Sequence, residues 1–145
     1  MKNNLSHILF QFIKYIALFI IGGCTYMVME IFYRGYTHWT MGILGGICLI
    51  LIGILNEIFK DLPLLYQGFM GSLIITILEY YSGVLLNIKL GLDIWNYSHI
   101  PWNVDGQVCL PYSILWIFVG IFAVILDDSV RYLLFNEEKK KYKLI

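Results

Sequence analysis

The sequence predicts an all-α integral membrane bundle of about four transmembrane helices, with a structured outer loop between the third and the fourth. Three observations carry this expectation. Of 145 residues, 59% are hydrophobic and 14% charged, against about 25% charged in a typical soluble domain. The apolar residues gather into four runs, each close to the roughly 20 residues that cross a hydrocarbon core as a helix. The runs are continuous rather than alternating, which excludes a closed β-barrel. A spanning segment must also satisfy its own backbone N–H and C=O groups, and a helix does so.

The first run covers about residues 15–33 and has apolar residues back through Ile8 to Ile13. Lys2, Lys14 and the segment Ile21-Gly22-Gly23-Cys24 have a faint likeness to a lipoprotein leader and its cleavage site. The apolar run continues for nine residues past Cys24 and three more runs follow, so it reads as an uncleaved span. The others cover about residues 40–59, 62–86 and 110–135, giving one polytopic domain over residues 1–145 with no stretch left for a soluble one. Cys24 and Cys48 fall inside runs and are expected to pack as small apolar groups. Cys109 lies near a membrane surface, and three cysteines make no disulfide framework.

Charge placement sets the expected orientation. Lys2, Lys14, Lys60, Arg131, Lys139, Lys140, Lys141 and Lys143 fall on one side, and Arg34 and Lys89 on the other. Eight against two places both termini in the cytoplasm, in the plasma membrane. The run Lys139–Lys141 reads as an anchor beside anionic lipid. A net charge of zero gives nucleic-acid binding no electrostatic support.

The connection over residues 34–39 is a tight turn, whereas that over residues 88–109 is the longest polar stretch. Its aromatics Trp95, Tyr97 and Trp102 suit the headgroup layer. The segment reads either as a structured loop lying on the bundle or as an aromatic interfacial anchor.

The informative residues are polar ones inside the runs, because a charge at mid-bilayer costs about 2.5–3.5 kcal/mol on insertion scales and must face protein or water. In the third run Gly68, Ser72, Thr76, Glu79, Gly83 and Asn87 recur at spacings of three and four, within one arc of roughly 100°. The second run carries Gly42, Gly46, Gly53 and Asn56, then Glu57. The fourth places Ser113, Trp116, Gly120, Ala123 and Asp127 on one face, with Asp128 beside it. Small residues on such faces let helices approach closely. Glu30 and Arg34 have the i,i+4 order of a salt bridge.

These groups fall at two depths. Glu30, Arg34, Glu79 and Asn87 lie toward the outer leaflet, beneath the long loop. With Trp95, Asn103, Asp105 and Gln107 from that loop they form the candidate substrate-binding site. The competing reading is that they hold the bundle together. Glu57, Asp61, Asp127, Asp128 and Arg131 lie toward the other face and read as structural. No metal-ligand spacing and no nucleophile motif is present, and no catalytic residue, metal or cofactor is assigned.

Several segments in order carry a family resemblance: Glu30-Ile31-Phe32-Tyr33-Arg34-Gly35, His38-Trp39-Thr40-Met41, Gly45-Gly46, Asn56-Glu57, Glu79-Tyr80-Tyr81-Ser82-Gly83, Asn87, Trp95-Asn96-Tyr97-Ser98, Pro101-Trp102-Asn103 and Gly106-Gln107-Val108-Cys109. Over about residues 12–135 the chain resembles the small bacterial membrane proteins described as putative ABC-transporter type IV, or CmpB-like permeases. The resemblance implies a permease subunit of an ATP-driven transporter. The chain has no G-x-x-x-x-G-K-[ST] phosphate loop, so a separate ATPase subunit would be its partner. Four spans would also need a homo- or hetero-oligomer to enclose a pathway, with membrane lipids around it. Two other functions stay open at this point: a small regulatory or scaffolding membrane protein, and a membrane enzyme acting on a lipid-linked substrate with His38, His99, Asp93, Asp105 and Gln107 on one side. A reporter that fluoresces only in the cytoplasm, fused to the C-terminus, is expected to give signal; a dark fusion at normal expression overturns the four-span topology.

Overall fold

The computed structural model describes residues 2–59 and 61–145, with side chains from residue 5 onward. Lys60 and the side chain of Lys2, both counted in the basic asymmetry above, lie outside the described residues. Four helices make the fold: α1 (Lys2–Arg34), α2 (Trp39–Ile58), α3 (Leu64–Gly83) and α4 (Leu110–Phe135). All are long and apolar enough to cross a membrane. Short turns make antiparallel neighbours of successive helices, and a long loop joins α3 to α4. One end of the bundle carries that loop and the other carries the C-terminal tail.

Helix limits follow local chemistry. His38 caps α2, its Nδ1 accepting the Thr40 N–H at 3.4 Å. α3 starts directly after Pro63, whose fixed φ suits a helix entrance. α4 has Pro111 in its first turn and ends at Asn136, which is left-handed with φ 55°. α1 absorbs the Ile8–Ile13 stretch and runs 33 residues, about 50 Å at 1.5 Å per residue, longer than a hydrocarbon core of about 30 Å. Its excess is N-terminal, where Leu5, Ile8, Leu9, Phe12 and Ile13 are exposed.

Glycine sets the packing. α1 lies on α2 and α3 on α4, and the two hairpins meet through α2. A Cβ built on Gly46 would lie 2.6 Å from the Phe19 carbonyl oxygen, and one on Gly22 would lie 2.6 Å from the Leu49 Cβ. A Cβ on Gly120 would lie 2.6 Å from the Gly68 carbonyl oxygen and 3.3 Å from the Cα atoms of Gly68 and Gly71. The glycine stripes therefore face neighbouring helices, as their spacing predicts. Ser72 extends the α3 stripe by donating to the Ser113 carbonyl at 2.6 Å. Cys24 departs from expectation. It is exposed, because Gly22 and Gly23 occupy the α2-facing arc and turn the next residue outward.

The α3–α4 loop is structured. α3 continues as a π-helical turn over Val84–Lys89. Strand β1 (Asn103–Val104) then pairs antiparallel with β2 (Val108–Cys109), Val104 opposite Val108. The chain reverses between them through Asp105 and Gly106, both left-handed at φ 52° and 67°, as hairpin turns favour. Two of its three aromatics are not interfacial anchors. Trp95 is buried and Tyr97 turns inward, because the hairpin folds back over the helix ends. Trp102 alone of the three stands in the open, at 76% exposure.

The opposite end is closed by the tail, residues 136–145. The first free N–H groups of α3 have no side-chain cap; Leu64 and Leu65 donate instead to the carbonyls of Lys143 and Leu144, at 2.8 and 3.3 Å. Lys140 is paired with Glu57 and, at 3.1 Å, with Asp128, so it is not simply a lipid-facing anchor. Burial works against its ammonium, yet the two carboxylates carry its pKa above the ordinary lysine value. Tyr142 also donates to Asp128 at 2.9 Å. Glu137 holds Lys14 of α1 at 2.7 Å and approaches Arg131 of α4 at 3.8 Å. Asp127 and Arg131, expected near the water boundary, are buried and paired at 2.7 Å; Asp127 packs against Gly53 of α2, and Glu137 of the tail approaches Arg131.

Two glycines separate packing from composition. The three atoms nearest a Cβ on Gly120 are all backbone, which cannot rotate away, so Gly120→Ala should cost about 1–3 kcal/mol. Gly42→Ala meets the flexible tip of Met27, whose sulfur lies 2.7 Å from the built Cβ, and should cost less. Thermal unfolding in detergent is the measurement; equal losses for the two would sink the backbone-contact account.

Candidate functional site

At the loop end the helices and the loop enclose a cavity of about 240 Å³. Its charged groups are Glu30 and Arg34 from α1 and Glu79 from α3. Glu79 is 2% exposed. Its two carboxylate oxygens accept from the Tyr97 hydroxyl at 3.0 Å and from the Trp116 indole N–H at 2.8 Å. Both donors are neutral, and burial, followed by the charge of Glu79, holds the Tyr97 hydroxyl far above its ordinary pKa, so it stays a donor. No cation is paired with Glu79 among the described residues.

Glu30 and Arg34 neutralise each other across one helical turn, at 2.7 Å. Thr37 donates to the second Glu30 oxygen at 2.5 Å, and Arg34 donates to the Ile94 carbonyl at 2.9 Å while lying 4.6 Å from the Tyr36 ring. The cavity thus holds two carboxylates against one guanidinium. Aromatic side chains make much of the remaining wall. Tyr97 stacks on Tyr112 with centroids 4.8 Å apart, Tyr112 lies 6.0 Å from Trp116, and Tyr26 and Trp95 complete that side. The Tyr33 and Tyr112 hydroxyls meet across the seam between α1 and α4.

The expected site residues therefore divide. Glu30, Arg34, Glu79 and Trp95 line one cavity. Asn87, Asn103, Asp105 and Gln107 lie outside its wall and hold the loop over it. Asn87 accepts the Ile94 N–H at 2.7 Å and donates to the Trp95 carbonyl at 3.0 Å and to Gln107 Oε1 at 2.8 Å. Trp95 returns its indole N–H to the Gln107 carbonyl at 2.9 Å. Gly83 leaves the room that the Gln107 side chain fills. Asn103 accepts from Gly106 at 2.9 Å and donates to Ile100 at 2.8 Å. Asp105 accepts from Tyr80 at 2.8 Å on an exposed edge.

Tyr26, Tyr33, Tyr97, Tyr112 and Trp116 are the aromatic wall residues that the polar pattern does not single out as site groups. Trp116 was placed on the inward face of its helix, and that position was the one available signal. Among the described residues no group of three or more His, Cys, Asp or Glu is arranged to hold a metal ion. His38 is occupied as a helix cap, and His99 is exposed in the loop.

Fold and site together define a four-helix membrane protein with a loop-covered cavity that encloses a buried carboxylate. The family model described as "Putative ABC-transporter type IV" matches residues 15–144, and the chain belongs to that family. No curated protein and no solved structure matches it.

Asn87→Ala strips partners from two loop backbone groups at about 1–3 kcal/mol for each group left unsatisfied. Hydrogen exchange at Ile94 and Trp95 should rise and the Trp95 emission should shift red. Asp105→Asn, on the exposed edge, should change stability by no more than about 0.5 kcal/mol. Similar protection at Ile94 in the Asn87 variant and the parent would remove Asn87 as the pin of the loop.

Proposed function

We propose that the chain is the permease-like subunit of an ATP-driven transporter, and that the cavity beneath the α3–α4 loop is its substrate-binding site. In this reading it crosses the plasma membrane four times as one domain, with both termini cytoplasmic and the loop end outward. The carrying observation is Glu79, a carboxylate 2% exposed and held by neutral donors at a cavity wall. Helix–helix adhesion does not require such a group. An ionisable side chain in a spanning helix is costly and marks a substrate or ion pathway. A residue that served adhesion alone would face no open space, whereas Glu79 lines the cavity. The family description supports the transport class, and in this reading a partner carries the phosphate-loop motif that these residues lack.

The test is purification of the full chain from its own membranes in mild detergent. A nucleotide-hydrolysing subunit carrying a phosphate-loop motif is expected to elute with it at fixed stoichiometry. Its ATPase rate should change when Glu79→Gln replaces the parent chain in the complex. A chain that purifies to homogeneity without any such subunit overturns the permease reading.

A further inference from the structure

The charge and walls of the cavity together specify a class of occupant. With both carboxylates ionised, Glu30 and Glu79 against Arg34 leave one negative charge in excess. An anion in this low-dielectric place is tolerable only with a counter-charge or a proton, and a monovalent cationic occupant supplies the first. A metal ion fits poorly. Ions such as Ca²⁺ take about 6–8 oxygen ligands, whereas here both Glu79 oxygens already accept hydrogen bonds and the neighbouring wall is aromatic. At about 240 Å³ the cavity falls just below the roughly 300–1,000 Å³ of sites for drug-sized ligands, so the occupant is small. A space this narrow keeps any occupant within reach of the Tyr26, Tyr97, Tyr112 and Trp116 rings. Aromatic rings attract cations through their quadrupole, and cages of this composition suit quaternary ammonium groups, which need no hydrogen-bond acceptor.

We infer that the cavity binds a small organic ammonium group, with the Glu79 carboxylate as its counter-charge and the tyrosine and tryptophan rings as its walls. The inference rests on the reading of this cavity as a substrate site and names the substrate class. The wall residues Tyr33 and Leu115 are 73% and 46% exposed, so the cavity also opens sideways between α1 and α4. The ammonium group can therefore arrive on a free solute or on a lipid headgroup.

The experiment uses the full chain in lipid nanodiscs, with Trp39→Phe and Trp102→Phe so that the emission comes from Trp95 and Trp116, and follows that fluorescence during titration with choline. Its neutral isostere 3,3-dimethylbutan-1-ol, which has carbon in place of the charged nitrogen, is the control. In phosphatidylglycerol discs choline is expected to bind saturably and the isostere at least tenfold more weakly. Glu79→Gln should weaken choline at least tenfold at an unchanged or higher melting temperature. Tyr112→Leu, which keeps apolar volume and removes a ring, should weaken it several-fold and serves if the Glu79 variant does not fold. Repeating the titration in phosphatidylcholine discs separates the sources: apparent affinity falls if the lipid headgroup competes for the cavity and holds if it does not reach it, and ammonium recognition stands in both cases. The inference is overturned if choline does not bind in phosphatidylglycerol discs, if the isostere binds equally well, or if both variants keep parental affinity. Its failure is separable from that of the permease reading. A copurifying ATPase subunit with no choline binding leaves the transporter and removes the substrate class. Choline binding without any ATPase subunit leaves a cation site in a protein that is not a permease.

Discussion

Backbone meets backbone where α1 crosses α2 and again where α3 crosses α4, and the placement of the other groups depends on those two contacts. Lipid offers no hydrophobic drive to push helices together, so association rests on close van der Waals contact and interhelical hydrogen bonds. Gly46 against Phe19 and Gly120 against Gly68 and Gly71 supply the first. Ser72 on Ser113, and Asn56 on Asp128 at 2.8 Å, supply the second. Each hairpin is held by glycine contacts, and the cavity lies toward the loop end, between α1, α3, α4 and the loop.

The cavity inherits its chemistry from that geometry. Glu79 stands two turns beyond Ser72 on the same face of α3, so the packing that buries Ser72 also buries Glu79. The α4 face that offers Gly120 to α3 offers Trp116 one turn earlier, where its indole reaches the carboxylate. The loop closes the site because Asn87, carried on the π-helical turn, catches the backbone of Ile94 and Trp95. That capture aims Tyr97 back at Glu79. A buried carboxylate with neutral partners is thus the product of three elements folded over one another.

Much of this was legible in the residues alone. The four helices follow from continuous apolar runs. Glu30, Arg34 and Glu79 stand out because ionisable groups are scarce within such runs. The aromatic walls were not legible, since Tyr and Phe are common on lipid-facing surfaces and their convergence depends on how each helix is rotated. Asn103 and Asp105 were grouped with the site because they are polar and share its end of the chain. The Asp105-Gly106 pair nevertheless carried a hairpin signal, which explains why these residues build the loop and leave the cavity wall to others. The tail pairings of Glu137, Lys140 and Tyr142 have no period to betray them, because the tail is not helical and folds back on α1, α2 and α4.

The ties between α1 and α4 are unevenly distributed. At the tail end Glu137 joins Lys14 to the neighbourhood of Arg131, and Phe10 packs edge-on against Phe135 at 5.7 Å. At the loop end the seam is bridged by the hydroxyl contact of Tyr33 with Tyr112, both reachable from outside. In outline the molecule resembles a clothes-peg: two arms fastened by charge at one extremity, and jaws held at the other by the Tyr33–Tyr112 contact and by Arg34 on the Ile94 carbonyl. Spreading those jaws would change the volume of the cavity while leaving the glycine contacts within each arm intact.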